Sequence, residues 1–541
     1  MPAHLETGKA SLIEFRPIDC YGDTYKAMII LIHPPVAKTC EPPAGIARLS
    51  GMLGKIGIEH RLLDANLEGI LSLLRRPVPA ERADDVWTRR AFRNIEHNLS
   101  SLSDTGLYLH IDRYKRAVSD IDKVLAENSP ARSAVGLVNY EHKELSPLRS
   151  SDLLSAAERP EQDPFYPYFR SRFEELFREK EPANVGISLN YLSQALSAFS
   201  MVGFIRKQFP TVKIILGGGL VTSWLNNPGW KNPFSGIVDH LVAGPGEYQL
   251  LSLLGLEAKG EEMPRPDYSA LPRKSYLAPG FILPYSASTG CYWSKCEFCP
   301  EKAEGSTYVP IPPRKVISDL EFIAGKTGPV LVHLLDNAIS PALLDALSTE
   351  QIAVPWYGFV RIGSRLSDPD FCVQLRQAGC VMVKLGIESG DQGVLDAMQK
   401  GISIETASHV LKNLNKAGIA SYVYLIFGTP AETEASARKT LEFTVKHGDC
   451  INFLNLAIFN MPLCGTTNPE IEKRRFSEGD LSLYTDFIHP TGWDRRHVRL
   501  FLENEFRKHP MISAILKNVP PFFTSNHAPF FIMERSGRRK R

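Results

Sequence analysis

No apolar run in this chain approaches the roughly 18–20 residues that a membrane-spanning helix needs, which argues against a membrane protein. Net charge is scarce too. A formal +2 over 541 residues leaves no global field to draw the chain to nucleic acid or to a lipid surface. The one biased stretch is the tail RSGRRKR (535–541), which reads as a solvated terminus. The opening MPAHLETGKASLIEF lacks the charged-then-apolar layout of a secretory leader. With nine cysteines, an odd number, and no leader, the expected setting is a reducing cytoplasm. No internal repeat with a 20–50-residue period is evident.

What is present is the content of an ordinary soluble protein, 43% hydrophobic and 23% charged, in a chain too long for one core. AMIILIHPP (27–35) reads as a buried strand stopped by two prolines, GIARLSGMLGKIGI has helical spacing, and EHRLLDAN supplies a second strand. Strand, helix and strand in that order predict a parallel crossover. Residues 71–180 are charged and helical in pattern, an insertion. The alternation resumes with VGISLN, the helix SQALSAFSMVGFIRKQF, KIILGGG and DHLVAGPGE. The expected organisation is an α/β fold: an interrupted Rossmann-like domain over 1–255, a linker over 256–282, a parallel barrel over 283–468 and a C-terminal extension over 469–541. The barrel rests on strands expected at 283–288, 329–335, 356–361, 381–387, 421–427 and 452–458, which suit a partial (β/α)6 barrel better than an open sheet.

Cysteine is not spread evenly. STGCYWSKCEFCPE (289–302) holds Cys291, Cys296 and Cys299 in the loop after the first barrel strand, where barrel chemistry gathers. Three thiolates suit iron–sulfur or zinc chemistry. No fourth cysteine or histidine pair stands nearby. A four-iron cluster held by three cysteines keeps one iron open to a non-protein ligand, whereas a structural zinc site usually takes four protein ligands.

The spacing, with Phe298 just before the last cysteine, resembles the radical SAM superfamily. The commonest signature there has three residues in the first gap; YWSK makes four, and GCYW.KC.FC looks like a cobalamin-binding branch. VKLGIESGDQGVLDAMQKGIS (383–403) resembles the fourth-strand motif that approaches the SAM ribose, through Glu388 and Ser389. YLIFGTPAETEAS (424–436) resembles the fifth-strand segment, where Ile426 and Gly428 would meet adenine. The same resemblance makes Asp336 and Asn337 candidates for the SAM amino group and Arg361 for its carboxylate. On their own, Glu388 reads equally as a surface cap, Asp336 as a helix cap and Arg361 as an ion-pair partner. The resemblance implies a 4Fe-4S cluster, S-adenosyl-L-methionine bound at the open iron, and a 5′-deoxyadenosyl radical made by one electron from a donor such as flavodoxin or ferredoxin.

KIILGGGLVTSW is not G-x-G-x-x-G, so a dinucleotide site is poorly supported. In context it resembles the cobalamin-binding domain fused ahead of such barrels. Ser188, Asn190, Tyr191, Gly217, Gly218, Gly219, Gly244 and Gly246 would then line the nucleotide side of cobalamin. The Asp-x-His-x-x-Gly motif whose histidine ligates cobalt is absent, and His33, before two prolines at a strand end, reads as structural. In NVPPFFTSNHAPFF (518–531), Asn526 and His527 sit among phenylalanines, either core packing or a lid; Cys464 reads as a buried thiol. The expected activity is a cobalamin-dependent methyltransferase acting on a small molecule or peptide. Alternatives are radical cyclisation, rearrangement or oxidation, and a zinc-holding scaffold without catalysis. Near-neutral charge weakens an RNA-modifying role.

Overall fold

A computed structural model describes residues 16–17, 28–77, 85–227, 229–257, 263–464, 471–474, 478–523 and 527–532. Asn526 and the basic tail lie outside them. Among the described residues no helix is long and apolar enough to cross a membrane.

The first unit is a five-stranded parallel sheet. Its strands are β1 (Ile29–His33), β2 (His60–Asp64), β3 (Asn184–Ser188), β4 (Lys213–Gly217) and β5 (His240–Leu241), paired in the order β2-β1-β3-β4-β5. Ile29–Ile32 are all 1% exposed or less, as expected of a strand covered on both faces. The order reverses beside β1, and in doubly wound sheets such a reversal opens a crevice at the carboxyl ends of the strands. Helix α1 (Ala44–Lys55) crosses from β1 to β2.

Between β2 and β3 the chain builds a mostly helical block. It includes α2 (Ala65–Leu74), α3 (Ile111–Asn128), α4 (Ser150–Glu158) and α5 (Tyr166–Glu179). Asp64 starts α2 by accepting the Leu67 N–H at 3.0 Å, and it also accepts the Tyr276 hydroxyl at 2.8 Å. Helix α6 (Leu192–Gln208) follows β3 and is buried along nearly all of its length. It packs against α4 closely enough that a Cβ on Gly203 would stand 1.8 Å from the Ala157 carbonyl oxygen.

The second unit is six parallel strands joined in chain order: β6 (Ile282–Tyr285), β7 (Leu331–Leu334), β8 (Trp356–Phe359), β9 (Cys380–Glu388), β10 (Ala420–Phe427) and β11 (Phe453–Ile458). β6 and β11 are not paired, so the barrel is partial. The apolar core does not divide at the boundary between units. One cluster joins Ile29 and Leu31 of the first sheet to the outer layer of the barrel; the other joins the helical block to the lumen residues Tyr357, Met382, Tyr422 and Phe453. The C-terminal stretch plugs the lumen near the strand starts. His527 is buried there, stacked on Tyr422 at 4.5 Å and edge-on to Phe453 at 4.7 Å, so it packs core in this structure.

On an exposed helix, Gly→Ala gains up to about 1 kcal/mol. At Gly203 overpacking against α4 outweighs that gain, with a net loss expected on the order of 1–3 kcal/mol. Thermal unfolding of Gly203→Ala should show a lower midpoint; an unchanged or raised one contradicts the close packing of α4 on α6.

Candidate functional site

The cysteine loop leaves β6 and returns as a short antiparallel pair, Ser288–Thr289 on Val309–Pro310. Gly290 turns the chain with φ +68°, and a Cβ there would sit 2.6 Å from the Thr307 carbonyl oxygen. Cys291, Cys296 and Cys299 are half-buried and form no disulfide. Burial pushes the Cys296 and Cys299 thiols up, and the cations of Lys400 and Arg361 beside Cys296 act against that. The Cys299 N–H donates to the Cys296 carbonyl at 3.2 Å, and Pro300 opens a short helix immediately after.

Beneath the loop lies the segment after β9. Glu297 N–H donates to the Met398 carbonyl at 3.0 Å, and the Trp293 indole donates to the Gln399 carbonyl at 3.2 Å. The Arg361 guanidinium stacks on the Trp293 ring at 3.7 Å and donates to the carbonyls of Lys400 and Gly401. The long first gap is thereby accommodated: Ser294 takes a positive φ of 45°, and Trp293 swings onto Arg361.

The segment itself is held by an ion pair. Lys400 Nζ donates to Glu388 Oε1 at 2.7 Å, with both side chains only 11–12% exposed. Glu388 ends β9 with φ +68°, at a bulge against β10. Gly386 lies directly under the pair: a Cβ there would stand 2.3 Å from Glu388 Oε1 and 2.8 Å from Lys400 Nζ and would displace them. Lys400 also lies 5.4 Å from the Phe298 ring centroid. Phe298, Arg361 and Glu388 therefore converge on one place.

The other expected SAM contacts have partners within the fold. Asp336 accepts the Ala287 N–H at 3.0 Å and the Ser288 hydroxyl, and Asn337 donates to the Gly290 carbonyl at 3.3 Å. Both brace the start of the cysteine loop. Ser389 is fully buried in a turn with Thr440, 3.2 Å away, and accepts the Asp391 N–H. Ile426 and Gly428 stand at the end of β10, where Gly428 has φ +77° and donates its N–H to Glu432 at 2.5 Å. Glu432 is fully buried, accepts the Trp493 indole at 3.0 Å, and is pushed by burial up to about 7.

A cavity of about 890 Å³ joins this loop to the first sheet. Thr289 and Gly290, just before Cys291, and Pro300, just after Cys299, line it on one side. Ser188, Asn190, Gly217, Gly218, Gly219, Gly244 and Gly246 line it at the carboxyl ends of β3–β5. Tyr191 does not; it is 51% exposed and caps α6. Gly218 needs to be glycine: its φ is +108°, and a Cβ would lie 2.4 Å from the Leu189 carbonyl oxygen. Gly244 has φ +69° with nothing within 4 Å of where a Cβ would point, so the backbone there offers an open edge to a ligand. His33 is buried and is not a lining residue; burial lowers it to about 4, so it is a neutral structural side chain.

Residues 285–444 match the Radical SAM superfamily. The chain carries a radical SAM domain. An uncharacterized methyltransferase of Pyrococcus horikoshii is 23% identical over 310 residues, 50% of this chain and 66% of its own. TsrM, a radical SAM methyltransferase from Kitasatospora setae solved with tryptophan substrate and a SAM analogue, has a TM-score of 0.53 at 14% identity, covering 91% of this chain and 89% of its own. The cobalamin-dependent radical SAM enzyme OxsB, with aqua-cobalamin and SAM bound, has a TM-score of 0.51 at 13% identity, covering 96% and 62%. The chain thus spans less than two thirds of the length of the Pyrococcus relative and of OxsB. At these identities the likeness to the solved structures is one of fold: a Rossmann-like unit ahead of a partial radical SAM barrel.

Three residues of the radical SAM domain escape sequence reading: Trp293, Lys400 and Glu432. Trp293 is the one with a signal, since it lies in the gap that is one residue longer than usual.

The cysteines fit a cluster better than a lone ion. Among the described residues no three of His, Cys, Asp or Glu gather as a single ion requires. A cluster in which three irons each take one thiolate lets the thiols stand further apart. The donors are three disulfide-free thiols with two cations beside them, which suits an electron-rich group.

Deeper in the lumen is a second polar group. Lys384 Nζ lies 3.1 Å from His333 Nε2, and His333 Nδ1 lies 2.9 Å from Glu41, which reaches in from the first unit and pairs with Lys38. Burial, and secondarily the Lys38 charge, lowers Lys384 from 10.5 to about 7. The unfolded chain therefore binds more protons between those values, and the Lys384 contribution to stability falls as pH drops from 10.5 toward 7. Lys384→Met removes that dependence. Its melting temperature relative to the parent should be higher at pH 7 than at pH 10; a constant difference contradicts a neutral buried amine.

Proposed function

We propose that this protein is a cobalamin-dependent radical SAM methyltransferase acting on a small molecule or peptide at an unactivated carbon. The observation that carries the reading is the single cavity bounded by the cysteine loop on one side and by the glycine edge of the first sheet on the other. Two groups bound at those two edges would face a common space.

Cys291, Cys296 and Cys299 hold the 4Fe-4S cluster. Phe298, Arg361 and Glu388 stand beside it for SAM, with half-buried Ile426 at the next strand end as the apolar contact to a flat ring and Gly428, packed under Val498, shaping the turn that follows. Asp336, Asn337 and Ser389 act through the loops they brace. Ser188, Asn190 and the glycines at 217–219, 244 and 246 hold cobalamin; none of them offers a cobalt ligand. When bound, the cluster supplies the electron that breaks the S–C5′ bond of SAM, and the corrinoid carries the methyl group. The walls of the cavity exclude water from the radical and hold the substrate in reach. A flavodoxin- or ferredoxin-type protein delivers the electrons, in a reducing cytoplasm.

Anaerobic reconstitution with iron and sulfide, followed by reduction in the presence of SAM, should yield 5′-deoxyadenosine. Changing Cys291, Cys296 and Cys299 together to alanine should remove the cluster absorbance and bring nucleoside formation to background; retained formation overturns the reading. SAM labelled in its methyl group then decides the reaction, because label enters product only in methyl transfer. Unlabelled product points to radical cyclisation, rearrangement or oxidation instead.

A further inference from the structure

The wall of the large cavity contains a carboxylate that the fold leaves half used. Glu247, at the start of helix α7 (Gly246–Leu253), is 4% exposed and lines the cavity. Arg48 of α1 pairs with its Oε1 at 2.7 Å, while Oε2 is buried without a hydrogen-bond partner. A second buried group points the same way: Trp224, 2% exposed and also lining the cavity, has an indole N–H without a partner. Buried polar atoms are ordinarily paired, and leaving an acceptor unsatisfied is costly. Each belongs to a side chain that lines the cavity, and a ligand with a donor to offer, as a carboxamide or a hydroxyl has, would complete the Glu247 acceptor.

The charge of the wall narrows the class. Among the described lining residues the acids are Glu247, Glu301, Glu304 and Asp480, and the single base is Arg48, already taken by Glu247. A ligand carboxylate at Glu247 would meet like charge and no free cation. A neutral N–H or O–H donor would complete the site.

We propose that Glu247 is a corrinoid-reading residue: Arg48 fixes one oxygen so that the other accepts an N–H or O–H from the bound corrinoid. This rests on the cobalamin reading above. Two parts of the ligand present such donors, the carboxamides around the ring and the ribose hydroxyls of the nucleotide tail, and the chemistry required of Glu247 is the same for both.

The test titrates aquacobalamin into the reconstituted full-length protein and into Glu247→Gln, following the absorbance of the bound corrinoid at a temperature well below both unliganded melting temperatures, with iron content measured alongside. Glu247→Gln, which keeps an oxygen for Arg48 and turns its amide N–H toward the ligand donor, should bind roughly tenfold more weakly or worse, the expectation for losing a hydrogen bond to a charged acceptor, with iron content kept. Cobinamide, which lacks the nucleotide tail, distinguishes the sources: a loss that persists assigns the donor to a ring carboxamide, and a loss that disappears assigns it to the tail. Equal affinity of parent and variant for aquacobalamin overturns the proposal, as does weakened binding accompanied by loss of the bound iron. A parent protein that retains no cobalamin overturns the cofactor reading instead.

Discussion

Glu388 and Lys400 form a buried ion pair at the mouth of the barrel, and much of the site hangs from it. The pair ties the end of β9 to the segment 398–401, and that segment is the floor on which the cysteine loop rests. Glu297 donates to Met398, Trp293 to Gln399, and Arg361 reaches from the end of β8 to the carbonyls of Lys400 and Gly401. Removing one member of such a pair leaves an uncompensated charge and costs roughly 3–5 kcal/mol. A Cβ on Gly386 strikes the pair, and one on Gly401, the residue after Lys400, strikes the Trp293 ring at 2.2 Å. The pair thus fixes a loop that has almost no regular structure of its own. A cluster bound there would owe its position relative to Phe298 and Glu388 to that anchoring.

The same logic operates between the units. A cavity shared by two units has a stable shape only if they do not move against each other. Here the two apolar clusters each run across the boundary, and polar ties add direction: Tyr276 to Asp64 at 2.8 Å, Leu277 N–H to the Thr39 carbonyl at 2.8 Å, and Asp267 N–H to the Ala47 carbonyl at 2.9 Å. Helix α1 lies so close to the connecting stretch that a Cβ on Gly51 would stand 1.9 Å from the Arg265 carbonyl oxygen. The connection that composition marks as a linker is a packed strut over its described part.

Much of this was legible in sequence where one signal dominates. Buried parallel strands are short apolar runs, so IILIH, LVHL and CVMVKLGIE announce themselves, and the cysteine spacing locates the loop. The side-chain roles were less legible because they depend on what arrives from elsewhere in the chain. Asp336 in LLDNAIS has the look of a ligand contact, yet its carboxylate is met by Ala287 and Ser288, nearly fifty residues back. Ser389 adjoins Glu388 but points into a turn with Thr440. Lys400 lies twelve residues beyond Glu388 with no periodic relation to it, and only a bulge and a left-handed residue bring the two together.

The lumen shows where the pattern of strands conceals chemistry. Lys384 sits inside CVMVKLGIE, an otherwise apolar strand, and β-pairing places it beside Phe359 and Tyr422. Alternation alone would make it an error in a buried strand. Three features make it tolerable: His333 accepts from its amine at 3.1 Å, the rings of Tyr357 and Phe359 lie 5.2 Å from it, and burial shifts it toward the neutral form. His333 in turn meets Glu41, which belongs to the loop after β1 in the first unit. A hydrophobic replacement of such a chain is often neutral or stabilising, so stability is a weak reason for its presence. Register is a better one. The apolar clusters hold the units together without specifying direction, whereas a single carboxylate that must find one histidine inside the barrel specifies one docking. That docking sets the glycine edge of β3–β5 opposite the cysteine loop, and so gives the cavity its two faces.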